Sequence, residues 1–83
     1  MNLNENFYCI KLSNNGKYFA MGSELGEIWI FKLPEFEFVG KSTGHSQKVN
    51  KLKWSLDDKQ IISVSADSSI CIWNFYKILN NNS

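Results

Sequence analysis

The sequence predicts an all-β chain of two consecutive four-stranded antiparallel sheets, the second with at best one short outer strand of its own. Three observations carry that expectation. Short apolar runs recur between turn signals. The two halves of the chain repeat each other. The run Ile70-Cys71-Ile72-Trp73 is apolar on both faces, as in a sheet covered on both sides.

Taken in order, residues 1–6 are polar and Asn-rich and read as a lead-in loop. Phe7–Leu12 alternates around aromatic and β-branched positions, which suits a strand. Ser13-Asn14-Asn15-Gly16 follows as a turn, because Asn-Gly supplies the positive φ of a tight hairpin. Tyr18–Gly22 is the next strand, Glu24-Leu25-Gly26 the next turn and Glu27–Lys32 the third strand. Pro34 cannot donate to a ladder and marks a break. Phe36–Lys41 then reads as a partly exposed outer strand, with Phe36, Phe38 and Gly40 on one side and Glu37, Val39 and Lys41 on the other. In the second half the expected strands are Val49–Trp54, Gln60–Ser65 and Ile70–Trp73, with turns at Ser55–Asp58 and Ala66–Ser69.

Laying Phe7 on Val49, an offset of 42 residues, exposes the repeat. Lys11 falls on Lys53, Ser13 on Ser55, Lys17 on Lys59, Ser23 on Ser65, Ile28 on Ile70 and Ile30 on Ile72, with no gap from Phe7 to Phe31.

Composition narrows the function classes. The chain has 83 residues, 43% apolar and 14% aromatic, a packed β protein and not a disordered one. As a single compact domain it would bury only about 60–65% of its unfolded surface and be marginal alone. A net charge of +1 supplies no field toward nucleic acid or membrane. Glu24, Glu27, Glu35 and Glu37 are followed by Lys41, Lys48, Lys51 and Lys53, which read as solvated faces or, functionally, as a basic edge for an acidic partner. Cys9 and Cys71 lie far apart within strands and read as reduced buried thiols. One histidine and no Cys-x-x-Cys argue against a zinc site. Neither a membrane span nor a signal peptide is expected, so the expected location is intracellular.

Residues 44–74, GHSQKVNKLKWSLDDKQIISVSADSSICIWN, join a Gly-His opening, a Ser-x-x-x-Asp pair and a closing Ile-Trp. This pattern resembles a WD repeat, the four-stranded blade of a β-propeller, and the offset of 42 matches the period of such blades, about 40–45 residues. Asn74 stands where the family usually has Asp. The expected division is a divergent blade at 1–43, a WD blade at 44–79 and a polar tail at 80–83. The resemblance implies that His45, Ser63, Asp67 and Trp73 form a buried structural tetrad, linked Trp to Ser to His to Asp. The chemistry is consistent, since an indole only donates, an ionised carboxylate only accepts, and a hydroxyl and a neutral imidazole do both. The first half has Leu3, Met21, Leu25 and Phe31 at the matching positions and must hold by apolar packing. Ser, His and Asp could also compose a hydrolase triad, but there is no Gly-x-Ser-x-Gly elbow, and a triad leaves Trp73 unexplained.

The resemblance implies a binding platform without catalysis or cofactor. Its rim, carried over by position, comprises Ser46, Lys48 and Ala66, with Asn4, Asn6 and Glu24 in the first blade. Two blades cannot close a ring of the usual four to eight, so the expected partners are remaining blades or a completing chain. In many propellers the last blade takes its outer strand from the N-terminal segment, and the ending here looks like that arrangement. The run from His45-Ser46 through Ile61–Ile70 to Trp73 also looks like the C-terminal end of a cilia- and flagella-associated WD-repeat protein. That implies a structural component of ciliary axonemal doublet microtubules, with tubulin or other axonemal proteins as partners. The alternative is an adaptor recruiting partners in a ubiquitin-ligase or signalling complex.

Overall fold

The structure, a computed structural model, describes residues 6–80. Its elements are β1 (Phe7–Leu12), β2 (Tyr18–Ser23), β3 (Glu27–Lys32), β4 (Glu37–Thr43), β5 (Val49–Trp54), β6 (Gln60–Ser65), β7 (Ile70–Asn74) and α1 (Phe75–Asn80). They form one four-stranded antiparallel sheet, β1-β2-β3-β4, and one three-stranded sheet, β5-β6-β7. The 42-residue offset holds in three dimensions. Phe7 pairs with Ser23 and Val49 with Ser65, and the same irregularity follows, between Phe7 and Cys9 in one sheet and Val49 and Lys51 in the other. The pairs Ala20–Ile30 and Ile62–Ile72 also correspond.

Turn chemistry sets the hairpins. Gly16 (φ 73°) and Gly26 (φ 84°) take the left-handed conformation that a side chain disfavours. Asp58 (φ 59°) does the same at the third hairpin, where its carboxylate is clamped. Its Oδ1 accepts from the Asn14 backbone N–H (2.8 Å) and its Oδ2 from that of Asn15 (2.9 Å), which ties the β1–β2 turn to the β5–β6 turn.

The two sheets face each other across one core. Ala20, Ile28 and Ile30 of the first meet Val49, Leu52, Trp54, Ile61 and Trp73 of the second. Alternation along each strand puts these residues on one face. The approach is closest at the inner strands. A Cβ on Gly22 would lie 2.7 Å from Val49 Cβ, and the Trp54 indole donates to the Lys11 carbonyl at 3.0 Å. On its other face the first sheet carries an aromatic cluster. Phe31 contacts Phe19 (5.1 Å), Phe36 (5.1 Å) and Phe38 (5.7 Å). Phe36 lies at φ 62°, strained for a bulky residue, and its ring rests on Phe19 at 4.8 Å.

Three local expectations are corrected. The outer strand β4 does not alternate as a simple strand. A bulge between Ile30 and Phe31 pairs Gly40 with Ile30 but Phe38 with Phe31, so Val39 turns to the inter-sheet core while Phe38 and Lys41 share the opposite face. No outer strand follows β7. Asn74 Oδ1 accepts from the Lys77 backbone N–H (3.2 Å), capping α1, and Phe75 and Ile78 one turn apart bury its apolar stripe. Phe75 packs on Tyr18 (4.8 Å) and Trp54 (5.2 Å), so the helix closes the core. Finally, β7 is covered on one face only: Ile70 and Ile72 are exposed.

Gly26 also supports the segment entering the second sheet, because its carbonyl accepts from the His45 backbone N–H (3.3 Å). A Cβ there would collide with the His45 carbonyl oxygen. Gly26→Ala is therefore expected to destabilise the fold by about 1–3 kcal/mol, read as a lowered midpoint in urea unfolding. A midpoint equal to that of the parent chain would contradict this account.

Candidate functional site

Four elements deliver the sequence-predicted polar residues to one place. His45 arrives on the segment before β5, Ser63 on β6, Asp67 on the β6–β7 turn and Trp73 on β7. Gly44 makes room for the last of these, since a Cβ on it would lie 2.6 Å from Trp73 Cη2 and 3.1 Å from Cζ2. His45, Ser63 and Trp73 are buried, while Asp67 is partly exposed.

The hydrogen bonds run in one direction. Trp73 Nε1 donates to Ser63 Oγ at 2.7 Å. Ser63 Oγ lies 2.6 Å from His45 Nε2, and His45 Nδ1 lies 2.7 Å from Ser69 Oγ. Ser69 Oγ in turn donates to Asp67 Oδ1. The indole can only donate and the carboxylate only accept, so the bonding pattern assigns the His45 proton to Nδ1 and has Nε2 accept from Ser63.

The predicted linkage thus gains a member. His45 Nδ1 and Asp67 Oδ1 are 3.7 Å apart, beyond a direct hydrogen bond, and the Ser69 hydroxyl bridges them. Sequence reasoning placed Ser69 only in a turn. The signal was its position two residues after Asp67, where an Asx turn returns its backbone N–H to Oδ1 at 2.9 Å. Asp67 also reaches back to the segment entering β5, since its Oδ2 accepts from the Ser46 backbone N–H and hydroxyl, each at 3.0 Å. These donors, the Ser69 hydroxyl foremost and then the Ser46 and Ser69 backbone N–H groups, hold the Asp67 carboxyl well below the usual carboxylate range.

A nucleophilic role for Ser63 finds no support in this geometry. Its side chain is fully buried, and its oxygen is engaged by both the indole and the imidazole. No group of three or more His, Cys, Asp or Glu that could hold a metal ion occurs among the described residues. Burial raises the Cys9 thiol above its ordinary value. In the first sheet the tetrad positions hold Met21, Phe31 and an exposed Leu25, while Leu3 lies outside the described residues. The aromatic cluster around Phe31 occupies the place of the polar relay.

The rim residues gather at one end of both sheets, at the starts of β1 and β5 and in the β2–β3 and β6–β7 turns. Asn6 donates to Glu24 (3.2 Å), and the Lys48 ammonium sits 4.8 Å over the Tyr8 ring. Ser46 is held by Asp67, and the Ala66 N–H donates to the Lys48 carbonyl (3.1 Å). Asn4 lies outside the described residues. Lys41 is engaged elsewhere, 3.4 Å from Glu27 and 4.9 Å over the Trp29 ring.

Removing the Ser63 hydroxyl leaves a buried indole N–H and an imidazole nitrogen without their partner. Ser63→Ala is expected to cost about 1–3 kcal/mol in chemical denaturation, with an altered Trp73 emission. Asp67 sets an acid limit. Its folded pKa is depressed, so its contribution is complete above the unfolded value, near 3.9, and is lost as pH falls from there toward the folded value. A melting-temperature profile should show stability falling below about pH 4, and Asp67→Asn should flatten that acid limb.

The family profile "WD domain, G-beta repeat" matches residues 36–74. The chain is 37% identical over 67 residues to apoptotic protease-activating factor 1 of Mus musculus, covering 81% of this chain and 5% of that protein. It is 33% identical over 87 residues to echinoderm microtubule-associated protein-like 4 of Homo sapiens, covering 96% and 9%. It is 33% identical over 69 residues to the 77 kDa echinoderm microtubule-associated protein of Lytechinus variegatus, covering 78% and 10%. The chain thus spans no more than a tenth of these relatives' length. The crystal structure of the Myceliophteria thermophila Cps50 (Swd1) β-propeller domain superposes with a TM-score of 0.79 at 22% identity, covering 95% of this chain and 26% of that one.

Proposed function

We infer that this chain, which belongs to the WD-repeat family, is a protein-interaction scaffold with no chemistry of its own. The observation that carries the reading is the use of its polar relay as architecture. His45 and Ser63 are sealed inside the fold, and Asp67 ties the segment entering β5 to the β6–β7 turn. What remains for a partner is the rim above that relay, where Asn6, Glu24, Ser46, Lys48 and Ala66 stand exposed on rigidly held turns. Blades of this kind supply a frame, and the rim side chains supply the specificity.

The partner we propose is a cytoskeletal assembly built on microtubules, within the cytoplasm, with the ciliary axoneme as its narrower setting. Two relatives named as microtubule-associated proteins support this. An adaptor role in a signalling complex is the second reading, favoured by the likeness to apoptotic protease-activating factor 1.

Co-sedimentation with polymerised tubulin separates the two. The expected result is salt-sensitive pelleting of the chain, weakened several-fold by Lys48→Glu with an unchanged melting temperature. A chain that stays in the supernatant at saturating polymer would discard the microtubule reading and leave the adaptor. Pelleting indifferent to Lys48→Glu and Ala66→Arg would move the contact away from the rim.

A further inference from the structure

Four exposed apolar residues share one property. Each has a counterpart 42 residues away that is buried where the two sheets meet. Ile70 and Ile72 are 68% and 66% exposed, while their counterparts Ile28 and Ile30 are fully buried at 0% against the second sheet. Ile10 and Leu12 are 57% and 58% exposed, while their counterparts Leu52 and Trp54 are buried at 4% and 5% against the first. The strand registers correspond under the same offset, so the correspondence is one of position in the sheet and not of spelling alone.

The consequence is geometric. Ile62, Val64, Ile70 and Ile72 form the free face of the second sheet, equivalent to the face of the first sheet that β5 covers. Ile10 and Leu12 lie on the free face of the first sheet, equivalent to the face with which β5 does the covering. The molecule therefore carries both halves of its own internal interface, one at each end, each without a cover in this chain.

We propose that these faces join a second copy of this chain head to tail, with the free face of the second sheet in one copy seated on β1 of the next. The proposal rests on the scaffold reading above and names one partner of that scaffold. The contact continues the interface already present between the two sheets. Ile62 and Val64 replace Ala20 and Gly22, so the sheets of neighbouring copies stand farther apart at their inner ends than the two sheets within a chain. A face-to-itself dimer is disfavoured. Lys51 and Lys53 pair with Val64 and Ile62 on the same free face, and such a dimer would set these lysines against their own copies. A head-to-tail contact either closes into a ring or continues as a series.

Light scattering after size exclusion tests this without any other partner, so its outcome is independent of tubulin pelleting. The parent chain is expected to run as a multiple of 9.6 kDa. Ile72→Glu and Ile10→Glu, each retaining the β-sheet circular dichroism of the parent, are each expected to run as monomers. Mixed together they should form a heterodimer, because each keeps the face that the other has lost. A parent chain that is monomeric at its highest soluble concentration would overturn the proposal and leave these faces to further repeats of another chain. So would a multimer broken by Ile72→Glu and untouched by Ile10→Glu, the signature of a face-to-itself contact.

Discussion

The constraint on which the rest depends is the contact between the two sheets. A chain of 83 residues has few ways to bury an apolar core, and neither sheet covers both of its own faces. Gly22 and Ala20 let the inner strands approach, and Val49, Leu52 and Trp54 fill the space they leave. Toward the outside the gap is closed by Phe75 and Ile78 of α1. The helix is therefore a consequence of the same packing: where a further strand would leave that wedge open, one helical turn with two apolar residues fills it.

Polar groups secure the two ends of this contact. At one end Asp58 accepts from the backbone of Asn14 and Asn15, joining hairpins whose sequences lie far apart. At the other the relay from Trp73 to Asp67 joins β7, β6, the β6–β7 turn and the segment entering β5. The relay is directional because an indole can only give a proton and a carboxylate can only receive one. Satisfied buried chains of this type rigidify the elements they connect. A rim held on such turns can present fixed side chains to a partner, which links the architecture to the proposed scaffold role.

The two sheets reach the same strand geometry by different means. In the second, a glycine under an indole and a polar relay fix the outer part of the blade. In the first, Phe19, Phe31, Phe36 and Phe38 fill the corresponding space with rings, and Phe36 accepts an unfavourable backbone conformation to do so. One backbone repeat thus tolerates either a polar or an aromatic filling, because the ladder hydrogen bonds that define it do not pass through either.

The sequence by itself determined the strands, the repeat and the residues of the relay. Alternation, turn residues and a 42-residue offset are local or periodic signals, and the pairing registers follow that offset residue by residue. Tertiary structure decided what those signals do not encode. A one-residue bulge reversed the facing of Phe38 and Val39, because strand parity changes with a single extra residue. Ser69 entered the relay because the distance from His45 to Asp67 exceeds a hydrogen bond, a matter of ångströms that spacing does not set. Asn74 began a helix because its side chain found the Lys77 N–H and Phe75 found the core. The exposure of Ile70 and Ile72 was likewise decided in three dimensions, since a two-faced apolar strand states that a cover is required but not which chain provides it.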